Sequence, residues 1–193
     1  MSVIIAIKDK DVVYMGADTQ TTAGMKRRTN LNETSFKVVR LDNGILVGFC
    51  GRVAAKQAIM SVPDVFTLDE NGELTKKHIV QSIIPKLVDN MHDIGDEESG
   101  GLDISILLAH KGNLYKIGSG LNVLKRNDYA TSGAGLYYVD YVLRTKRELP
   151  IRQRLLKALT ESAKRTESVG GPYVFINTKD RTFEVVDMGG KNY

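Results

Sequence analysis

The apolar residues of this chain fall into short β-branched runs separated by polar turns, interrupted by stripes with helical spacing. Ser2-Val3-Ile4-Ile5-Ala6-Ile7 is followed by the polar turn Lys8-Asp9-Lys10-Asp11 and by Val12 to Ala17, which reads as the returning strand of a hairpin. From Asp18 to Thr34 the chain is rich in Thr, Asn, Gly and Arg and has no period, so a long loop is expected there. Phe36 to Leu41 and Ile45 to Cys50 flank Asp42-Asn43-Gly44, the Asn-Gly signal of a tight hairpin. Val53, Ala54, Ala58 and Ile59 predict a short helix that stops before Pro63. A second Asn-Gly pair, Asn71-Gly72, lies within Phe66 to Leu74 and suggests a small extra hairpin. Ile79, Val80, Ile83, Ile84, Leu87, Val88 and Met91 recur at three and four, which predicts an amphipathic helix capped by Thr75 and kinked at Pro85.

An acidic, glycine-containing break runs from Gly95 to Gly101. Leu102 to Ala109 and Leu114 to Ile117 make another hairpin across Lys111-Gly112-Asn113, with more strand at Val123-Leu124 and Tyr129-Ala130. Ala134 to Leu143 reads as a helix, with Tyr137, Tyr138 and Tyr141 available either for an interface or for packing on the protein's own sheet. Pro150 opens the next helix, with Ile151, Leu155, Leu156, Leu159 and Ala163 on one face. Tyr173 to Ile176 and Thr182 to Val186 form a last hairpin. Strands from both ends and from the middle, with paired helices between, predict an α+β fold in which helix layers enclose two sheets, an αββα sandwich. With 193 residues, one domain over 1–193 is the expected organisation, large enough to bury a core without staples.

Composition narrows the function. Lys plus Arg minus Asp plus Glu is 27 − 23 = +4, and the densest basic spots, Lys26-Arg27-Arg28 and Lys146-Arg147, read as solvated turns, so nucleic acid is not an expected partner. Cys50 is the single cysteine, which excludes a disulfide framework, and its apolar neighbours mark it as a small core residue. His78, His92 and His110 lack ligand spacing, so no metal is expected. No apolar run reaches the length of a membrane span and the first residues do not read as a secretory signal, which predicts a soluble, cytoplasmic protein. Gly118-Ser119-Gly120 lacks the ending of a phosphate-binding loop, no GxSxG elbow is present, and Gly133-Ala134-Gly135 reads as close backbone packing.

What remains is the N-terminus. Ser2 follows Met1, and its small side chain permits removal of the initiator methionine. The new terminus would carry a hydroxyl and an α-amine of pKa about 7.7–8.0, partly neutral at pH 7, so nucleophile and base share one residue. Asp18 follows an apolar strand, and Lys37 stands between Phe36 and Val38. A lysine among buried neighbours needs a carboxylate partner, and its charge would ease ionisation of a nearby hydroxyl. The alternatives are an Asp18 that caps a turn and a Lys37 that faces solvent on an edge strand. Gly51, at a strand-to-helix junction, either aims its N–H at a developing oxyanion or serves as a helix-entry glycine.

The run Val12 to Thr22 resembles the second strand and following loop of proteasome β-subunits and of the peptidase subunit of a bacterial two-component ATP-dependent protease. Phe36 to Leu41, Gly48-Phe49-Cys50-Gly51 before a helix, Ala130 to Gly135 before another, and Gly170-Gly171 before the final hairpin resemble later landmarks of the same family, in order. The resemblance implies an N-terminal-nucleophile hydrolase of the threonine-type endopeptidase family, with Ser2 as nucleophile, Asp18 and Lys37 as its charged pair, Gly51 as oxyanion donor and Ser132 orienting the amine. It further implies Thr22 pairing its backbone with a peptide substrate, Phe49 flooring a side-chain pocket, a homo-oligomeric ring, no cofactor, and an ATP-dependent unfoldase as partner. A catalytically silent assembly subunit and a transpeptidase or ligase are the alternative members. The chain departs from the family in its Ser nucleophile, in a longer loop between Asp18 and Lys37, and in Arg52 where many relatives have glycine. It departs again at Thr166-Glu167-Ser168-Val169, where relatives carry an Asp and a Ser and only Ser168 is a loose match.

Overall fold

The computed structural model describes residues 2–23, 26–29, 31, 36–92, 104–180, 182–187 and 189–191. The β-branched runs pair into two five-stranded antiparallel sheets. The first, ordered β10-β1-β2-β11-β12, is built from β1 (Val3–Asp9), β2 (Val12–Asp18), β10 (Tyr129–Gly133), β11 (Tyr173–Asn177) and β12 (Glu184–Val186). The second, ordered β5-β6-β7-β8-β9, comprises β5 (Val38–Arg40), β6 (Leu46–Gly51), β7 (Ile104–His110), β8 (Asn113–Ile117) and β9 (Val123–Lys125).

Both faces of each sheet are apolar, and that dictates four layers. Along β1, Ile4 and Ala6 point into an inter-sheet core shared with Met15, Val38, Leu46, Leu107 and Val174. Val3, Ile5 and Ile7 point the other way, onto α4 (Leu136–Thr145) and α5 (Ile151–Arg165), through Val139, Leu143, Leu155 and Leu159. The outer face of the second sheet packs Val47, Ile106 and Leu108 on Ile59 of α1 (Val53–Ser61) and on Ile79, Ile83 and Leu87. The expected αββα sandwich is therefore present. No helix of the described residues is long and apolar enough to cross a membrane.

Local structure departs from expectation in three places. The stretch read as a loop after Asp18 contains a two-stranded ribbon, β3 (Gln20–Ala23) with β4 (Lys26–Thr29). Its Thr21 and Thr22 favour extended backbone despite the lack of an apolar period. Residues 66–74 form a turn without strands, because the Asp69 carboxylate takes the Asn71 and Glu73 N–H groups. Third, α2 (Lys76–His78), a π-helical turn (Ile79–Ile83) and α3 (Ile84–His92) follow one another without a gap, with His78 N–H donating to Thr75 Oγ1 at 3.2 Å. Pro85 has no N–H to give; the wider turn ahead of it places it in the first turn of α3, where none is needed. The break expected over 95–101 and the strand residues Leu102 and Asp103 lie outside the described residues.

On α4 the tyrosines face outward. Tyr137 and Tyr141 are 90% and 65% exposed, while Val139, Val142 and Leu143 of the same helix are buried. Packing on the protein's own sheet is thus the wrong reading for these two.

Leu159 is fully buried where α5 meets the first sheet. Leu159→Ala should lower stability by about 2–5 kcal/mol, read as a fall in denaturant midpoint at unchanged slope. A change under about 1 kcal/mol would contradict the packing described for this layer.

Candidate active site

Three strand ends meet at one edge of the first sheet. Ile4 pairs with Ala17 of β2 and Val3 pairs with Gly133 of β10, so Ser2 stands just ahead of both ladders. Its carbonyl accepts the Ala134 N–H at 2.7 Å and the Cys50 thiol at 3.3 Å. Gly133 makes this approach feasible. Its φ of 110° lies in a region L-residues rarely adopt, and a Cβ there would sit 1.8 Å from the Ser2 carbonyl oxygen. The close backbone packing read for Gly133-Ala134-Gly135 is what the structure contains.

The end of β2 supplies Asp18, 1% exposed. Its Oδ1 accepts the Val3 N–H at 2.9 Å and lies 2.8 Å from Lys37 Nζ. Lys37 immediately precedes β5 rather than standing within it, and its ammonium also donates to the Gln20 carbonyl at 2.6 Å. Both alternatives drawn from the sequence fail here, since Asp18 is no exposed turn cap and the Lys37 side chain is only 12% exposed. Burial raises the Asp18 carboxyl above the usual carboxylate range and lowers the Lys37 ammonium below the usual lysine range, each against the pull of its partner.

Ser2, Lys37 and Gly51 line one open cavity of about 750 Å³, together with Thr21, Phe49, Arg52, Lys56 and Met60. Gly51 ends β6 at the entry to α1 with φ 144°, at the expected strand-to-helix junction. Phe49 is on the cavity wall. Lys56 of α1 donates to the Phe36 carbonyl at 2.6 Å and lies 6.0 Å from the Phe49 ring centre. Burial, with the nearby Lys37 charge, lowers its pKa. Thr22 is in β3, paired with Arg27, and its neighbour Thr21 is the residue of that strand on the cavity wall. Ser132 is buried in β10 opposite Ile4, one residue before Gly133.

The stretch Thr166 to Val169 packs against the start of β3. Gln20 Nε2 donates to the Glu167 carbonyl and Thr19 Oγ1 to the Pro172 carbonyl, each at 2.8 Å. Ser168 Oγ is buried there with no hydrogen-bond partner among the described residues. Sequence reasoning missed Thr21 and Lys56 on the cavity wall and the contact of Cys50 with Ser2. Only the position of Cys50, directly before Gly51, hinted at it.

Chemically, a buried cation stands on the same cavity as the half-buried Ser2 and a glycine backbone. Burial works against both charges of the Asp18–Lys37 pair, so stability alone gives little reason to keep it. An αββα sandwich whose first strand follows a serine beside such a pair has the architecture of the N-terminal-nucleophile hydrolases. Residues 2–163 match the family model described as Proteasome subunit, and the chain belongs to that family. Its fold is similar to that of Thiobacillus denitrificans BPH solved in complex with epoxomicin (16% identity, TM-score 0.68, 91% of this chain and 97% of that one). It is similar also to HslV of Trypanosoma brucei (14%, 0.64, 91% and 98%) and to Anbu from the helical Anbu assembly of Pseudomonas aeruginosa (16%, 0.67, 99% and 86%). No curated protein matches the sequence significantly.

Removing one member of the pair should cost about 3–5 kcal/mol, because the other charge stays buried alone. The double variant Asp18→Asn/Lys37→Met should recover to within about 1 kcal/mol of the parent in chemical denaturation. A double variant as unstable as the sum of the singles would contradict the burial argument.

Proposed function

We propose that this protein is a peptidase subunit that cleaves peptide bonds with Ser2 as its N-terminal nucleophile. The observation that carries this reading is the convergence of Ser2, Lys37 and Gly51 on one cavity, with the Ser2 carbonyl held by two donors. After loss of Met1, the Ser2 α-amine takes the proton of its own hydroxyl, directly or through a water, as Oγ attacks the scissile carbonyl. Lys37 stabilises the developing negative charge on Oγ and keeps the amine's pKa low, and Asp18 holds Lys37 in place. Gly51 N–H receives the oxyanion, a contact worth about 3–4 kcal/mol in such sites. The proton passes to the leaving amine, the C–N bond breaks, and water then hydrolyses the Ser2 ester, returning the hydroxyl. Ser132 supports the amine, and the β3 backbone at Thr21 and Thr22 pairs with an extended substrate, whose side chain enters the cavity over Phe49.

Peptidase assays of Ser2→Ala and Lys37→Met test this reading. Each should lower turnover by at least about 100-fold with the secondary structure intact. Turnover should fall on the acid side as the α-amine gains its proton. It should fall on the alkaline side as Lys37 loses its own, and since burial lowers that pKa, the alkaline limb should lie below the ordinary lysine range. Ser2→Ala retaining the parent's activity would refute the reading.

Assembly belongs to the same proposal. Tyr137 and Tyr141 put aromatic area with polar tips on the outer helix layer, as interfaces between protein surfaces do. An assembly is the form in which the similar Pseudomonas Anbu was solved. A closed homo-oligomeric ring would confine the Ser2 sites and admit only peptides and unfolded chains, the latter delivered by an ATP-dependent unfoldase. Light scattering on a sizing column should give a mass of several subunits, reduced in Tyr137→Glu/Tyr141→Glu. An active monomer would contradict the ring.

A further inference from the structure

We propose that Cys50 is a positioning residue for the Ser2 nucleophile, its thiol tying the Ser2 carbonyl to the strand that presents Gly51. The inference rests on the peptidase reading above and adds a residue that the sequence marked only as core.

A carbonyl oxygen has two lone pairs, and both of Ser2's are used: one by the Ala134 N–H at 2.7 Å, the other by the Cys50 S–H at 3.3 Å. Together they fix the Ser2 carbonyl plane, hence the direction in which its Cα presents both amine and hydroxyl. Once Met1 is gone, no preceding peptide bond orients this residue, so the Ser2–Val3 peptide is the remaining backbone handle, held at its N–H by Asp18 Oδ1 and at its carbonyl by these two donors. Cys50 is the residue before Gly51, so this contact also sets the spacing between nucleophile and oxyanion donor. Room for the sulfur exists because residue 133 is glycine; a Cβ there would stand 2.6 Å from Cys50 Sγ.

The thiol is suited to donate and not to attack. It is 8% exposed, and burial pushes its pKa up over the opposing pull of Lys37, so it stays protonated. A thiolate here would neutralise the Lys37 charge that Ser2 needs.

The test compares Cys50→Ser with Cys50→Ala in the assembled full-length protein. The two replacements remove similar volume, but only serine keeps a donor. Cys50→Ala should lower kcat about tenfold with KM within about twofold, and should move the acid limb of the pH profile upward as the α-amine drifts from Lys37. Cys50→Ser should keep kcat within about threefold and leave the limb in place, with similar thermal midpoints for both variants. Equal kcat and equal acid limbs in the two variants would overturn the proposal. A readout independent of turnover separates this outcome from failure of the peptidase reading. Competitive acetylation of the Ser2 α-amine across pH, traced by peptide mass spectrometry, should give a higher amine pKa in Cys50→Ala than in Cys50→Ser. If the parent hydrolyses no peptide, the peptidase reading falls alone; equal amine pKa values would sink the role of Cys50.

Discussion

Two opposite charges held out of water at the edge of the first sheet set the terms for the rest of this site. Taking either into the interior alone costs several kcal/mol, and their mutual attraction offsets this only when geometry and further hydrogen bonds are good. Here the Asp18 carboxylate meets Lys37 Nζ at 2.8 Å and also takes the Val3 N–H, while Lys37 holds the Gln20 carbonyl. The pair thereby stitches β1, β2, the start of β3 and the segment before β5. A fold seeking stability alone would fill this volume with apolar side chains. Keeping a charge pair points to what the cation does on its one open side, where it shares a cavity with Ser2.

The sandwich makes such a site precise. Each sheet is apolar on both faces, so three apolar layers clamp it, and the ends of β1, β2 and β10 have little freedom relative to one another. The nucleophile would sit immediately ahead of the interior strand β1, not on a flexible tail. Gly133 shows how close the tolerances are, since a single methyl group would overlap the Ser2 carbonyl. The second sheet contributes Gly51 at the end of β6, and Cys50 joins the two sheets at that point.

How much of this was legible in the sequence follows from which interactions are local. Continuous apolar runs such as Val3 to Ile7 and the Pro150-initiated stripe of Leu155 and Leu159 announced the sheets and α5, because burial on both faces of a strand and on one face of a helix leaves its mark within a few residues. The β3–β4 ribbon did not announce itself, as its threonines and arginines carry no apolar period. Nor did the π turn Ile79–Ile83 ahead of Pro85. Within the site, Ser2, Asp18, Lys37 and Gly51 were readable from residue type, neighbours and family order. Lys56 and the Cys50 thiol were not, since their partners Phe36 and Ser2 lie 20 and 48 residues away along the chain; nor was Thr21, which reaches the cavity wall only through the fold of its ribbon. Tyr137 and Tyr141 needed the helix rotation, which only packing against the sheet decides.

The account stands on a free Ser2 amine. Intact-mass measurement of the purified protein tests this most directly, followed by sequencing of its N-terminal peptide. The predicted result is a chain lighter by one methionine residue whose first peptide begins at Ser2. A peptidase-active protein that retains Met1 throughout would contradict the nucleophile assigned here.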